Sequence, residues 1–283
     1  MSARSLEGQK PSERIATGVL WTVSALVCCV LLWILGDLVV RGAGVLSPEF
    51  LTEAPRDAGR AGGVGSLIIS TLWIVALAVL IALPLGFFTA VLLADHRATR
   101  LARFVRGCLD VLNAVPSIVF GLFGSGFFCV TLGLGYSILA GGLTLACMIL
   151  PILIRTIEEA LRAVPSDLAL AAAALGISRW TRLWRVVAPA ALPAIAVGVV
   201  LGVGRALSET AALIFTSGYV TRYPEGWLDS GRALSVHIYD LAMNIPGADQ
   251  RAYGSALVLI GLLLIINTSV RLAARRFSAR MAP

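Results

Sequence analysis

A chain of 283 residues that is 58% apolar and only 14% charged lacks the polar surface with which a soluble domain of this size covers its core. The apolar residues fall in runs of about 20 or more, the length of a helix that crosses a hydrocarbon layer of roughly 30 Å, and such helices have no polar face to offer water. The formal net charge of +7 does not point to nucleic acid, because the positive charge sits in short segments between the apolar runs, where membrane topology accounts for it.

Residues 1–16 are polar, with Arg4, Lys10 and Arg14, and read as a cytoplasmic tail. The run 17–40 is too long for a signal-peptide core and is expected to be the first membrane span, so that 17–63 forms one transmembrane helix and an outer loop. Further spans are expected at 65–93, 110–132, 136–154, 187–217 and 253–270, with 64–272 as the transmembrane core and 273–283 as a second cytoplasmic tail. Gly62, Gly63 and Gly65 precede the second span. Pro189, Pro193, Gly198, Gly202 and Gly204 give the fifth several places to bend or break. The fold class is therefore all-α: a polytopic membrane protein with about six transmembrane helices.

Basic residues orient the bundle. Of the 23 lysines and arginines, 16 fall before the first span, between spans two and three or four and five, or after span six. That side is cytoplasmic by the positive-inside rule, which places both termini inside. The outer segments 41–63 and 218–252 each carry three arginines, balanced by three acidic residues in the first and exceeded by four in the second. The second holds Pro224, Asp229, His237 and Pro246, and its apolar pattern around Ala233–Met243 suits a short helix or a re-entrant piece. A lone histidine such as His237 reads as a surface or packing residue. Cys28, Cys29, Cys108, Cys129 and Cys147 form no CxxC pair and read as small packing residues rather than as disulfide or metal partners.

Catalytic patterns are missing. The only lysine, Lys10, lies outside any Gly-x-x-x-x-Gly-Lys-Ser/Thr pattern, so the chain has no Walker-type nucleotide site of its own. It also has no Gly-x-Ser-x-Gly elbow, His-Glu-x-x-His pair or paired carboxylates within its spans. A conduit fits better than an enzyme.

The segment RTIEEALRAVPSDLALAAAALGISRWTRLWRVVAPAALP, residues 155–193, is the most informative. After Pro165, Ser166 or Asp167 can cap a short alanine-rich helix that stops at Gly176. It is too short to span and too apolar to float in water, so it needs a partner groove or the membrane surface. Trp180 and Trp184, interleaved with Arg179, Arg182 and Arg185, suit an interfacial helix, and by pattern alone the whole loop can lie on the membrane surface.

This stretch resembles the coupling loop of ABC-importer permeases: Glu-Ala-Ala, three residues, Gly, nine residues, an aliphatic, one residue, Leu-Pro. Ala171, Ala172, Gly176, Val186 and Pro189 stand at matching positions. Leu170 replaces the family glutamate and Ala188 the leucine, which implies apolar packing rather than an ionic grip there. The resemblance makes 155–186 a coupling loop and assigns ATPase contact to Ser166, Asp167, Leu170, Ala171, Ala172 and Gly176. PSIVFGLFG (116–124), GGLTLACMILPILIRTIEEALRAVP (141–165) and GRALSETAALIFTSG (204–218) narrow the likeness, which covers about 65–270, to phosphate-importer permeases of the PstA type. Ser208 and Ala212 depart from the usual Gly and Pro. The resemblance implies a multi-pass protein of the inner membrane. Its partners would be a second homologous permease, two copies of an ATP-binding subunit and a periplasmic phosphate-binding protein. ATP and Mg would sit on the partner ATPase, with no cofactor in this chain.

Arg205 and Glu209 are the only charged residues of the fifth span. Intramembrane charge is costly and by default functional. Their spacing of four places both on one helical face, as a substrate-pathway pair in which Glu209 holds the Arg205 guanidinium, or as a merely structural ion pair. Arg155, where span four meets the cytoplasm, is a weaker pathway candidate that a snorkelling arginine explains equally well. The rival readings are a permease for another oxyanion or solute, and a secondary transporter or channel, which has no use for an ATPase-docking loop.

Overall fold

The computed structural model describes residues 11–95 and 99–281. The N-terminal tail through Lys10, together with Arg97, lies outside these, as do the side chains of Arg14, Ser166, Leu170 and Arg280. The described chain is almost wholly helical. In order it forms α1 (Pro11–Gly42), α2 (Pro48–Thr52), α3 (Gly65–Asp95), α4 (Arg100–Ala114) and α5 (Ser117–Gly124). There follow α6 (Ile138–Arg162), α7 (Ser166–Ala174), α8 (Arg179–Arg182), α9 (Ala188–Leu207), α10 (Ala211–Ile214), α11 (Leu234–Met243) and α12 (Asp249–Met281). Two π-helical turns, Ser125–Thr131 and Leu183–Val187, extend α5 and lead into α9. A two-residue antiparallel hairpin, Pro55–Arg56 with Ala61–Gly62, closes the first outer loop. Among the described residues five helices are long and apolar enough to cross a membrane, or six if the bent pair α4–α5 counts as one.

The bundle core is α3 against α6, with α9 and then α12 packed alongside. Small residues let these apolar helices approach closely, the usual device where lipid removes any hydrophobic drive between helices. A Cβ on Gly198 would sit 3.0 Å from Thr156 Cβ, and one on Gly202 would sit 3.2 Å from Leu153 Cδ2. Ile149, Leu153 and Ile157 of α6 are fully buried beside them. The outermost helix, α1, packs mainly on α12.

Two expected spans are corrected. Residues 110–132 are not one helix, because α4 and the α5 arm meet at 99°. Pro116 forces the residue before it out of the α region, and Val115 is extended at φ −68°, ψ 128°. The amphipathic α4, with Arg100, Arg103 and Arg106, and the apolar α5 arm therefore run in different directions, as a broken span or a re-entrant piece. Residues 187–217 are not one helix either. The break falls at 208–210 and not at the prolines: the helical run that starts at Arg179 passes through the Leu183–Val187 π turn and on through Pro189 and Pro193 to Leu207.

In the second outer segment the expected short helix is α11. His237 on it is a packing residue, 1% exposed, whose ring fills the space that a Cβ on Gly59 would take. Burial, then the nearby Arg232 charge, lowers its pKa to about 4, so it is neutral at physiological pH.

Candidate functional site

The break in the fifth span lies inside the bundle, between the levels of the two ends of α6. Gly202 packs on Leu153, about two-thirds of the way from Ile138 to Arg162 along α6, and the chain reaches the Ile138 end of α6 only at Thr216, whose carbonyl accepts from Ser137 N. Non-helical backbone is tolerated at this depth only where protein or a cavity surrounds it. Here side chains satisfy it. Ser208 Oγ donates to the carbonyls of Gly204 (2.9 Å) and Arg205 (3.2 Å), competing with the helical ladder as serine does. Glu209 Oε1 accepts from Ala212 N at 3.2 Å and so caps α10, while the Glu209 carbonyl accepts from Ser235 Oγ of α11.

Arg205 stands in the last turn of α9, half-buried. The expected pair with Glu209 is not made: among the described residues no ion pair joins Arg205 to any carboxylate. The reason is geometric. The spacing of four brings two side chains together only on a continuous helix, and α9 ends at Leu207. The Arg205 Nε is buried without a hydrogen-bond partner. A guanidinium at this depth with donors to spare suits an incoming anion, whose oxygens its planar fork matches.

The segment beyond the break packs on the glycines of PSIVFGLFG. A Cβ on Gly121 would lie 2.8 Å from Ala212 Cα, and one on Gly124 would lie 2.8 Å from Thr216 Cγ2. Two motifs far apart in the chain thus form one wall of the site. Gly141, from the third motif, meets Ser217 in the same way.

Toward the C-terminal end of α6 Arg155 is half-exposed and paired with Asp110 of α4, its Nε donating to Oδ1 at 3.1 Å. A deeper cluster lies below it. Glu158 is 1% exposed, and its Oε1 accepts both from Arg106 Nε of α4 at 2.9 Å and from Arg162. Arg106 also donates to the Leu93 carbonyl of α3 at 2.8 Å. This triad ties α3, α4 and α6 together at the foot of the segment that carries α7 and α8. Sequence reasoning missed it. The i,i+4 spacing of Glu158 and Arg162 is visible in RTIEEALR, but Arg106 arrives from another helix.

The loop itself folds as a capped unit. Gly176 adopts φ +71°, and Ile177 N bonds the Ala172 carbonyl at 3.2 Å, the C-terminal stop in which a left-handed residue lets the chain turn back. α7 rests on α8 and the following π turn, and Trp184 stacks on Phe87 of α3 with ring centroids 5.3 Å apart. Asp167, Leu168, Ala171, Leu175 and Gly176 face outward, Leu175 at 79% exposure, whereas Ala172 is 4% exposed and buried in the loop's own packing. Ala172, expected on the docking face, therefore faces inward.

With this geometry in hand, comparison with known proteins is specific. Residues 82–283 match the family described as binding-protein-dependent transport system inner membrane component. The chain is 32% identical over 279 residues to the probable ABC transporter permease protein YqgI of Bacillus subtilis, covering 93% of this chain and 95% of that one. It is 34% identical over 269 residues to the phosphate transport system permease protein PstA 1 of Mycobacterium tuberculosis, covering 89% and 85%. In fold it resembles a chain of a bacterial ABC transporter involved in the import of the acidic polysaccharide alginate, with a TM-score of 0.63 and 16% identity over 93% of this chain and 99% of that one. It also resembles a chain of the inward-facing MetNI methionine ABC transporter, with a TM-score of 0.55 and 20% identity over 78% and 95%. Family membership implies an ATPase and a substrate-binding protein as partners. The chain belongs to the binding-protein-dependent transport system inner membrane components, the membrane-spanning permease subunits of ABC importers.

Proposed function

We propose that this permease carries inorganic phosphate, with Arg205 as the cation that the anion meets midway. The observation that supports it most is the break in the fifth span, where an intramembrane guanidinium stands without a carboxylate partner beside backbone that has left the helix. Discontinuous helices place substrate sites near the midplane, and phosphate oxygens suit the arginine fork. Relatives named as phosphate transport permeases, 30–36% identical, support the choice of anion. The deciding measurement is uptake of radiolabelled phosphate by cells in which this importer is the sole route, with sulfate and neutral solutes as competitors. Uptake of sulfate or of a neutral solute in place of phosphate would replace this reading with the other-substrate one.

In this reading the chain pairs with a second homologous permease, two ATPase copies and a periplasmic phosphate-binding protein. ATP and Mg act on the ATPase. Both termini face the cytoplasm in this reading, which the placement of the basic segments supports. Closure of the ATPase pair moves the coupling loops, and the permeases switch access from the outer to the inner side. Orientation is checked by labelling single cysteines. Arg100→Cys is expected to react only from the cytoplasm and Gly226→Cys only from outside, and the reverse at either position refutes the topology.

The ATPase is gripped, in the same reading, by the outward face of α7. Ala171→Glu puts an unpaired carboxylate on that face, where burial without a partner is costly. Recovery of ATPase with the purified permease is expected to fall about tenfold or more, with the bundle intact. Ala172→Glu is expected to act differently, by unfolding the loop itself, seen as faster proteolysis between 165 and 185. Normal ATPase recovery with Ala171→Glu removes α7 as the docking element.

A further inference from the structure

At the cytoplasmic ends of α9 and α12 the two helices part around a cavity of about 390 Å³. Its walls are Pro193, Ala196 and Val197 from α9 and Arg271, Ala274 and Arg275 from α12. We propose that it is a binding site for the headgroup of an anionic phospholipid of the cytoplasmic leaflet.

The charge fits. Arg271 and Arg275 are one turn apart, both exposed, and among the described residues neither has an ion-pair partner. The depth fits as well. Gly198 packs on Thr156, so residues 193–197 stand at the level just beyond Arg155, where α6 leaves the membrane. Basic pockets between helices at that level suit acidic headgroups. The apolar part of the wall continues outward: Val197 and Leu201 on α9 and Leu264 on α12 are all exposed and offer a track for an acyl chain.

A free phosphate on its way out fits less well. At about 100° per residue, Pro193 and Val197 share the face of Gly204, which meets Leu263 of α12, while Arg205 lies about 80–120° round toward α6. The cavity and the candidate transport arginine are thus offset by roughly a quarter to a third of a turn around α9 and by about 12 Å along it. The leaflet assignment rests on the orientation proposed above, which the cysteine labelling tests separately.

The test uses the importer purified through this chain, washed in detergent and mixed with vesicle lipid of defined composition, equal parts phosphatidylglycerol and phosphatidylcholine. Mass spectrometry of retained lipid is expected to show phosphatidylglycerol enriched on the native importer. It should be reduced roughly tenfold or more, the scale of two basic residues at a membrane surface, in Arg271→Gln/Arg275→Gln. Arg271→Lys/Arg275→Lys should keep it, and Val197→Trp, which fills the cavity and leaves both charges, should lose it. Several outcomes overturn the proposal: equal retention by the native and glutamine proteins, no preference for phosphatidylglycerol, or unchanged retention with Val197→Trp. Displacement of the lipid by millimolar inorganic phosphate makes it an anion site of the pathway instead. Loss of another subunit from both double variants makes it a protein interface.

Discussion

Arg205→Gln is expected to lower phosphate uptake by about 100-fold or more while the importer assembles normally. Two charge-assisted hydrogen bonds to an anion in a poorly solvated path contribute about 3 kcal/mol or more, and each 1.4 kcal/mol is tenfold. Arg205→Lys keeps the charge but not the planar fork, so a partial loss is expected. Glu209 separates a pathway pair from what the structure shows. With no ion pair to break, Glu209→Gln leaves an amide oxygen to accept from Ala212 N, and uptake should stay within a few fold of normal. Glu209→Ala removes that cap at a cost of about 1 kcal/mol and should loosen the segment packed on Gly121 and Gly124. The readings are phosphate uptake and recovery of intact complex for each variant. Normal uptake with Arg205→Gln removes Arg205 from the pathway. Equal loss of assembly in Arg205→Gln and Glu209→Gln reinstates a structural pair.

Removing the carboxylate at Glu158 is expected to have the largest effect on stability. Glu158→Ala takes the shared carboxylate from Arg162 and from the largely buried Arg106, which keeps its bond to the Leu93 carbonyl, and breaking a buried ion pair from one side costs about 3–5 kcal/mol. The helices tied together there carry the coupling loop, so thermal inactivation in detergent should shift down sharply and ATPase recovery should fall with it. Replacing the whole cluster, Arg106→Met/Glu158→Leu/Arg162→Met, should recover most of the lost thermal stability, because apolar substitution of a complete buried cluster is often neutral. It should not recover coupling if the triad transmits motion from α7 to α4: uptake per ATP hydrolysed stays low in a stable protein. An unchanged melting profile for Glu158→Ala refutes the structural role, and normal coupling in the stable triple variant refutes transmission.

The contrast between Ala171 and Ala172 shows how far pattern reading reaches. Both fall on the family motif, and in an alanine-rich helix of nine residues nothing in hydropathy separates outer from inner faces. The separation comes from α8 and the π turn behind it, which cover Ala172 and leave Ala171 and Leu175 in the open. Pro116 is the opposite case. Its effect on the preceding residue is local, yet the expected span 110–132 runs straight across it.

By itself the sequence determined the membrane-spanning character, the number of spans to within a bent pair, the short helix after Pro165 with its stop at Gly176, and the charged residues of the fifth span. These follow from quantities that are local along the chain: length of apolar runs, sign of charge between them, and the left-handed backbone that glycine alone adopts cheaply. Only the tertiary structure decided that the fifth span breaks at 208–210, that Arg205 stands without Glu209, and that Glu158 is shared by Arg106 and Arg162. Each of these depends on what a neighbour distant in sequence supplies: the Ser235 hydroxyl to the Glu209 carbonyl, the Gly121 surface to Ala212, and the guanidinium of α4 to α6. An unsatisfied polar group in a membrane is costly, so the partners packed around a segment, rather than its own helical preference, settle where the helix stops and which charges meet.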